Sequence, residues 1–259
     1  MLDEDSRNGF EKHRIDHSSA SAINLYANAP HMWVAQYLFQ KRSEFGSAAK
    51  AGVLVEDAVT NVIGKGWTLE SAITSAVDQY QTFITFDKSE TAHARGEAMV
   101  GMITGAIEAL KPFGDPEFND NGKQKKIELL CNGNGWQLPI HGYIDYHFPK
   151  HGLIIDLKST MKMPSGMSIE HKRQSCIYRK AMDNQTVKFM YVTGKRCETF
   201  ECEDVSEVLA DVKHILNRQE ALLRSGDRSA IRDGFSMYMP HNSSTFYHDD
   251  NISREIFGV

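Results

Sequence analysis

Hydrophobic positions in the first half of the chain recur every three to four residues, and in the second half the period shortens to two. In HSSASAINLYANAPHMWVAQYLFQ (17–40) the serines suit a helix cap and Pro30 suits the first turn of a new helix, so two short helices are predicted. Leu54, Ala58, Val59 and Val62 form one stripe that stops at Gly64 and Gly66, which predicts a further helix. Two more helices are predicted at about 68–84 and 90–111, the second ended by Pro112.

Beyond residue 120 the pattern becomes strand-like. KKIELLC, WQLPIHGYIDYHF, GLIIDLKST and TVKFMYVT have strand character and are joined by the turn-forming stretches NGNG and PKHG. A helix over about 168–183 interrupts them, a short strand is predicted near 197–202, and VSEVLADVKHILNRQEALLRSG (205–226) has helical spacing. Residues 226–259 are polar and aperiodic and predict an irregular tail. No repeat, low-complexity tract or interdomain linker is visible. Helices followed by strands interleaved with helices predict an α/β fold, and 259 residues suffice for a single domain with its own core.

Composition narrows the function classes. With 41% hydrophobic and 24% charged residues the chain reads as an ordinary globular protein. Its apolar runs fall short of the ~18 residues of a membrane span. The opening MLDEDSRNGFEKHR has no apolar signal core, so a cytoplasmic protein with no membrane partner is expected. A net charge of -5 argues against coating nucleic acid by bulk attraction but permits a local basic track. Cysteines 131, 176, 197 and 202 are scattered, which suits free thiols. Neither an HExxH zinc motif nor a GxxxxGK[ST] phosphate loop occurs.

The chemistry concentrates in HGYIDYHFPKHGLIIDLKST (141–160). A hairpin centred on PKHG pairs residues whose numbers sum to 301, which sets Asp145 directly opposite Asp156. Like charges so placed repel, and burial adds to the cost, unless a divalent cation joins them. Removing Asp156 is then expected to stabilise the metal-free protein. Alternation puts Lys158 on the face of Asp156 and leaves Leu153, Ile155 and Leu157 on the other. Hard oxygen ligands suit Mg2+ or Mn2+, whose natural chemistry is phosphodiester hydrolysis. Lys158 would position or help deprotonate the attacking water and stabilise the developing charge, a role suited to an ammonium whose pKa can fall near metals and in low dielectric.

These residues resemble a known family. GYID followed by IIDLKST resembles the GxxD and (D/E)xK motifs of the PD-(D/E)xK nucleases, and QSCIY resembles the QxxxY motif of their RecB-like branch, which includes phage and mitochondrial exonucleases. Gln174 and Tyr178 share a helix face. AGVLVEDAV is similar to the helix that supplies the remaining metal ligand, GxxxH or, in lambda-type exonucleases, GxxxE. Glu56 takes that place, with Asp57 or Glu128 as alternatives. SASAINLYANAPHMW resembles the opening helix pattern, and MYMPHNSSTFYH resembles the end of phage-encoded members.

The resemblance implies a restriction-endonuclease-like core, a mixed central sheet flanked by helices. A helical lobe (18–112) would carry one metal ligand, and a catalytic sheet with helices would span 123–225. It implies Asp145, Asp156 and Lys158 as catalytic residues, with Glu56, Asp145, Asp156 and the Leu157 carbonyl holding Mg2+ or Mn2+. Gln174, Tyr178, Arg173 and Lys162 would contact DNA, within a basic rim that includes His171, Lys172, Arg179 and Lys180. Iron-sulfur relatives carry cysteine before the proline where this chain has Ala29, and no cysteine follows Cys202, so no cluster is expected. The implied activity is metal-dependent exonucleolytic cleavage of DNA by a phage-type enzyme, acting as a homo-oligomer or with phage or host replication or recombination partners. A flap endonuclease of the same fold and a non-catalytic DNA-binding protein remain the alternatives.

Overall fold

A computed structural model describes residues 7–118, 124–236 and 249–258. In chain order the elements begin with α1 (Gly9–Lys12), β1 (Ser18–Ser19), α2 (Ala20–Asn28), α3 (Pro30–Leu38), α4 (Ser47–Lys65), α5 (Leu69–Phe83) and α6 (Glu90–Leu110). Then come β2 (Lys125–Leu129), β3 (Ile140–Ile144), β4 (Tyr146–Phe148), β5 (Leu153–Ser159), α7 (Ile169–Ala181), β6 (Thr186–Val192) and β7 (Cys197–Glu201). The series closes with α8 (Val205–Arg224), α9 (Arg228–Ser236) and α10 (Asp250–Phe257). The fold class is α/β, and no helix among the described residues is long and apolar enough to cross a membrane.

Two compact units emerge: the first is Met1–Glu44, Glu128–Gly142 and Asp204–Val259, the second Phe45–Ile127 and Tyr143–Glu203. Residues 18–112 therefore supply α2 and α3 to the first unit and α4 to α6 to the second.

The first unit is mostly helical. Ser19 caps α2 by accepting from Ala22 N at 3.1 Å, and Pro30 opens α3 as its sequence position suggests. The amphipathic α8 buries Val208, Val212, Ile215, Leu216 and Leu223. Near its end the Glu220 carboxylate accepts from Gly9 N at 2.8 Å and Phe10 N at 3.3 Å. Any side chain at position 9 would collide with the α8 backbone, since a Cβ there falls 2.8 Å from Glu220 O.

The expected irregular tail is corrected here, because α9 and α10 are helices. Asp227 accepts from Ala230 N at 2.9 Å, and Asp249 accepts from both Asn251 N and Ile252 N at 3.0 Å. Their apolar contributions, Ile231, Ile252 and Phe257, are few enough that the 3.6-residue period is weak in the sequence. MYMPHNSSTFYH lies outside the described residues, as do positions 121–123 of NGKQKK.

The second unit holds a mixed sheet in the order β4-β5-β6-β7. β4 and β5 pair antiparallel with Tyr146 opposite Ile155, His147 opposite Ile154 and Phe148 opposite Leu153, the register expected from the sequence. A 3-10 turn over Pro149–His151 and Gly152, at φ 55°, close the hairpin. β5 and β6 run parallel through α7, and β6 and β7 antiparallel. Leu54, Val55 and Val59 of α4 join Tyr80, Met99, Met102, Ile103, Tyr146, Phe148, Ile155 and Leu157 in one core. α6 reaches the β6–β7 turn so closely that a Cβ on Gly101 would fall 2.2 Å from Gly194 O. A second sheet runs in the order β1-β3-β2, with β1 parallel to β3.

Candidate active site

β5 lies between β4 and β6 and is buried from Leu153 to Leu157, so the two charged residues at its far end need compensation. Asp156 is 1% exposed, and its Oδ1 forms an ion pair with the Lys158 ammonium. Parallel register sets Phe189 beside Asp156 and Tyr191 beside Lys158, and the ammonium stands 5.3 Å from the Phe189 ring centroid. On α7, Gln174 Nε2 donates to Asp156 Oδ2 at 2.8 Å. The same nitrogen donates to Tyr178 Oη at 2.9 Å, and Tyr178 Oη donates to Tyr143 O at 2.8 Å.

Asp145 falls in a bend between β3 and β4, and the ladder with β5 begins one residue later at Tyr146. It is therefore not the strand partner of Asp156 that the register extrapolates to. The bend turns its side chain so that Oδ2 accepts from Leu157 N at 2.8 Å. A backbone donor of the buried strand is thus satisfied by a carboxylate instead of a neighbouring strand.

Glu56 comes from α4, with Asp57 exposed beside it. Gln124, just before β2, joins Glu56 to Asp145: its Nε2 donates to Glu56 Oε1 at 2.6 Å and to Asp145 Oδ1 at 2.7 Å. The other alternative, Glu128, is engaged by His141 Nε2 at 2.7 Å. Gly52, one turn before Glu56, is not required by packing, since a Cβ there would make ordinary contact with Ser159 Oγ at 3.7 Å.

Burial pushes the three acids the same way, and repulsion adds to it at Glu56 and Asp145. Desolvation, then the charge of Asp156, raises the Glu56 pKa to about 7. Asp145 is raised well above the usual carboxylate range by burial, with Asp156 and Glu56 adding to it, and Asp156 is raised by burial. At Lys158 burial works downward, but Asp156 and Asp145 outweigh it and the net direction is up. Lys158 is thereby held as an ammonium by the two acids, a form suited to orienting water or phosphate. Asp156 is also the counter-charge of this largely buried ammonium, so its removal would strand Lys158, an effect that opposes the stabilisation expected for the metal-free protein.

Glu56, Asp145, Asp156, Lys158, Gln174 and Tyr178 are thus linked in the second unit, and the Leu157 N–H fixes Asp145. Tyr178 is buried and Gln174 gives its amide to Asp156, so this pair supports the site from within. Arg173 is buried on the same helix, while Lys162 is exposed in the loop after β5, with Thr160 Oγ1 donating to its carbonyl. The expected basic rim is smaller than its composition suggests. His171 is held uncharged, its pKa lowered to about 4 by burial and by Lys158, and Arg179 pairs with Glu201 at 3.3 Å.

Sequence reasoning missed two groups. One is Gln124, just before the strand read from KKIELLC, where an isolated amide carries no motif. The other is Tyr191, which stands beside Lys158 on β6 with its Oη 2.5 Å from His171 Nδ1. Parallel pairing of β5 with β6 was the available signal for Tyr191.

Among the described residues, no three His, Cys, Asp or Glu side chains form a ready-made metal cage. The donor chemistry nevertheless fits a hard divalent cation: three carboxylates from three elements repel one another, and Glu56 and Asp145 each direct an oxygen at one amide nitrogen. The four cysteines are free thiols.

No family model matches the chain, and neither does any curated protein. Among solved structures, one described as "Crystal structure of SSO0001" is similar at 16% identity, covering 73% of this chain and 85% of that one with a TM-score of 0.34.

Proposed function

We propose that the protein is a divalent-metal-dependent deoxyribonuclease with a PD-(D/E)xK core, hydrolysing phosphodiester bonds from DNA ends. The observation that carries this reading is the convergence of Glu56, Asp145 and Asp156 with a charged Lys158 in a largely buried setting. A structural role would favour as many counter-charges as acids, and one lysine among three carboxylates leaves an excess that a cation would neutralise. The motif resemblance supplies DNA as substrate and exonucleolysis as mode. The setting would be DNA degradation, replication or recombination in the cytoplasm.

Glu56, Asp145 and Asp156 would hold Mg2+ or Mn2+, with the Leu157 carbonyl beside them. The bound ion would polarise the scissile phosphate and supply a water of lowered pKa. The remaining work falls to the chain's own groups. Lys158, held as an ammonium, orients water or a phosphate oxygen and offsets the charge that builds as water adds to phosphorus. Gln174 fixes Asp156, Leu157 N–H fixes Asp145, and Tyr178 anchors the Tyr143 backbone two residues before it. Such preorganisation keeps the acids in place despite their repulsion.

End-labelled linear DNA incubated with Mg2+ and sampled over time should shorten progressively from its ends, while a closed single-stranded circle should persist. Cleavage of the circle would favour the endonuclease alternative. DNA binding without cleavage in Mg2+ or Mn2+ would replace the enzyme reading with a binding one.

A further inference from the structure

Gln124 is an uncharged side chain that hydrogen-bonds two of the three acidic residues at once. Its Nε2 lies 2.6 Å from Glu56 Oε1 and 2.7 Å from Asp145 Oδ1. Those acids come from α4 and from the bend before β4, two elements far apart in sequence, and no other hydrogen bond ties Glu56 to Asp145 among the described residues. An NH2 group meets two anions well because it carries two protons, one for each oxygen. A carboxamide also has a second end. A half-turn about its last torsion exchanges nitrogen for oxygen at the same place, a conversion of donor into acceptor that needs no backbone motion.

We propose that Gln124 is a further metal ligand, presenting its carboxamide oxygen to a cation shared by Glu56 and Asp145. The inference rests on the metal-dependent reading above and extends it to a residue outside every recognised motif. The amide nitrogen bridges the two carboxylates when they face each other alone. A divalent cation placed against the same two oxygens reverses the electrostatic demand, and Oε1 turns toward it. An oxygen-only donor set of three carboxylates and one amide suits Mg2+ or Mn2+ and disfavours softer metals, which prefer imidazole or thiolate.

The test is Mn2+ titration of the purified full chain by calorimetry, with circular dichroism confirming that each variant folds. Gln124→Ala should weaken Mn2+ binding roughly 10-fold or more, in the range lost when metal-supporting groups are removed. Gln124→Glu, which keeps an oxygen at that reach, should bind at least as tightly as the wild type. Binding by Gln124→Ala equal to or tighter than the wild type overturns the proposal, because Gln124 would then be a competitor or a bystander. A wild type that binds no Mn2+ overturns the underlying reading as well. Wild-type binding that is lost in Asp145→Ala but unchanged in Gln124→Ala overturns only the role of Gln124.

Discussion

Glu220 in the first unit and Asp156 in the second are both buried carboxylates, 9% and 1% exposed, yet their surroundings differ in kind. Glu220 is met by two backbone N–H groups and by Arg224 Nε at 2.6 Å. It closes the N-terminal end of α1 onto α8 and has all the donors that task needs. Asp156 has Lys158 and Gln174 but shares them with a neighbourhood containing Asp145 and Glu56. An acid kept for structure brings its own compensation, whereas acids kept for chemistry leave a deficit that something else must fill.

The strongest way to break this contrast is to remove charge from each site in turn. Asp156→Ala or Lys158→Ala should reduce Mg2+-dependent DNA cleavage by about 10³-fold or more. Glu220→Ala should leave the rate constant per folded molecule unchanged. Comparable activity in all three variants would remove the distinction. The stability ranking should differ: Glu220→Ala strands two backbone donors and should cost about 2–4 kcal/mol in urea unfolding.

Asp145→Asn sharpens the comparison from the opposite side. It removes one of three repelling charges while keeping an acceptor for Leu157 N, so in chelator at pH 8 it should gain on the order of 1–2 kcal/mol of stability while losing cleavage. The pH dependence has the same origin. Glu56, Asp145 and Asp156 all have pKa values raised in the folded protein, so the fold binds more protons than the unfolded chain above the ordinary carboxylate range. The stability this confers is fully present below about pH 4 and is lost as pH rises through about 7, where Glu56 titrates. Thermal melts in chelator should therefore fall between pH 5 and pH 8, and Mg2+ should restore the loss most at the alkaline end. A flat profile would mean that the three acids titrate in the folded protein as they do in the unfolded chain.

The smallest effect belongs to Tyr178→Phe. It deletes the bond to Tyr143 O and an acceptor for Gln174, and should cost about 1 kcal/mol of stability and roughly 10-fold in rate. An unchanged rate would reduce Tyr178 to a packing residue.

Much of this arrangement is legible in the sequence. The switch of hydrophobic period located α4 to α6 and the strands, and the PKHG connection fixed the β4–β5 register, because loop centre and pairing sum are one quantity. Extrapolation by one residue failed at Asp145, where the backbone leaves the ladder for a reason only tertiary structure reveals: the Leu157 N–H takes a side-chain acceptor. Gln174 and Tyr178 stand out through their resemblance to the QxxxY motif, and helical spacing puts them on one face without saying which way that face points. Gln124 was hidden because its partners lie 68 and 21 residues away. The helices α9 and α10 were hidden by brevity, being set by Asp227 and Asp249 caps more than by an apolar stripe.

The central claim is that Glu56, Asp145 and Asp156 exist to share a cation, and anomalous diffraction from a crystal soaked in Mn2+ tests it most directly. A shared cation gives an anomalous peak in coordinating contact with the Asp145 and Asp156 carboxylates, lost in Asp156→Ala crystals. An empty map at those side chains, with Asp156 still on Lys158 and Asp145 still on Gln124, would contradict it.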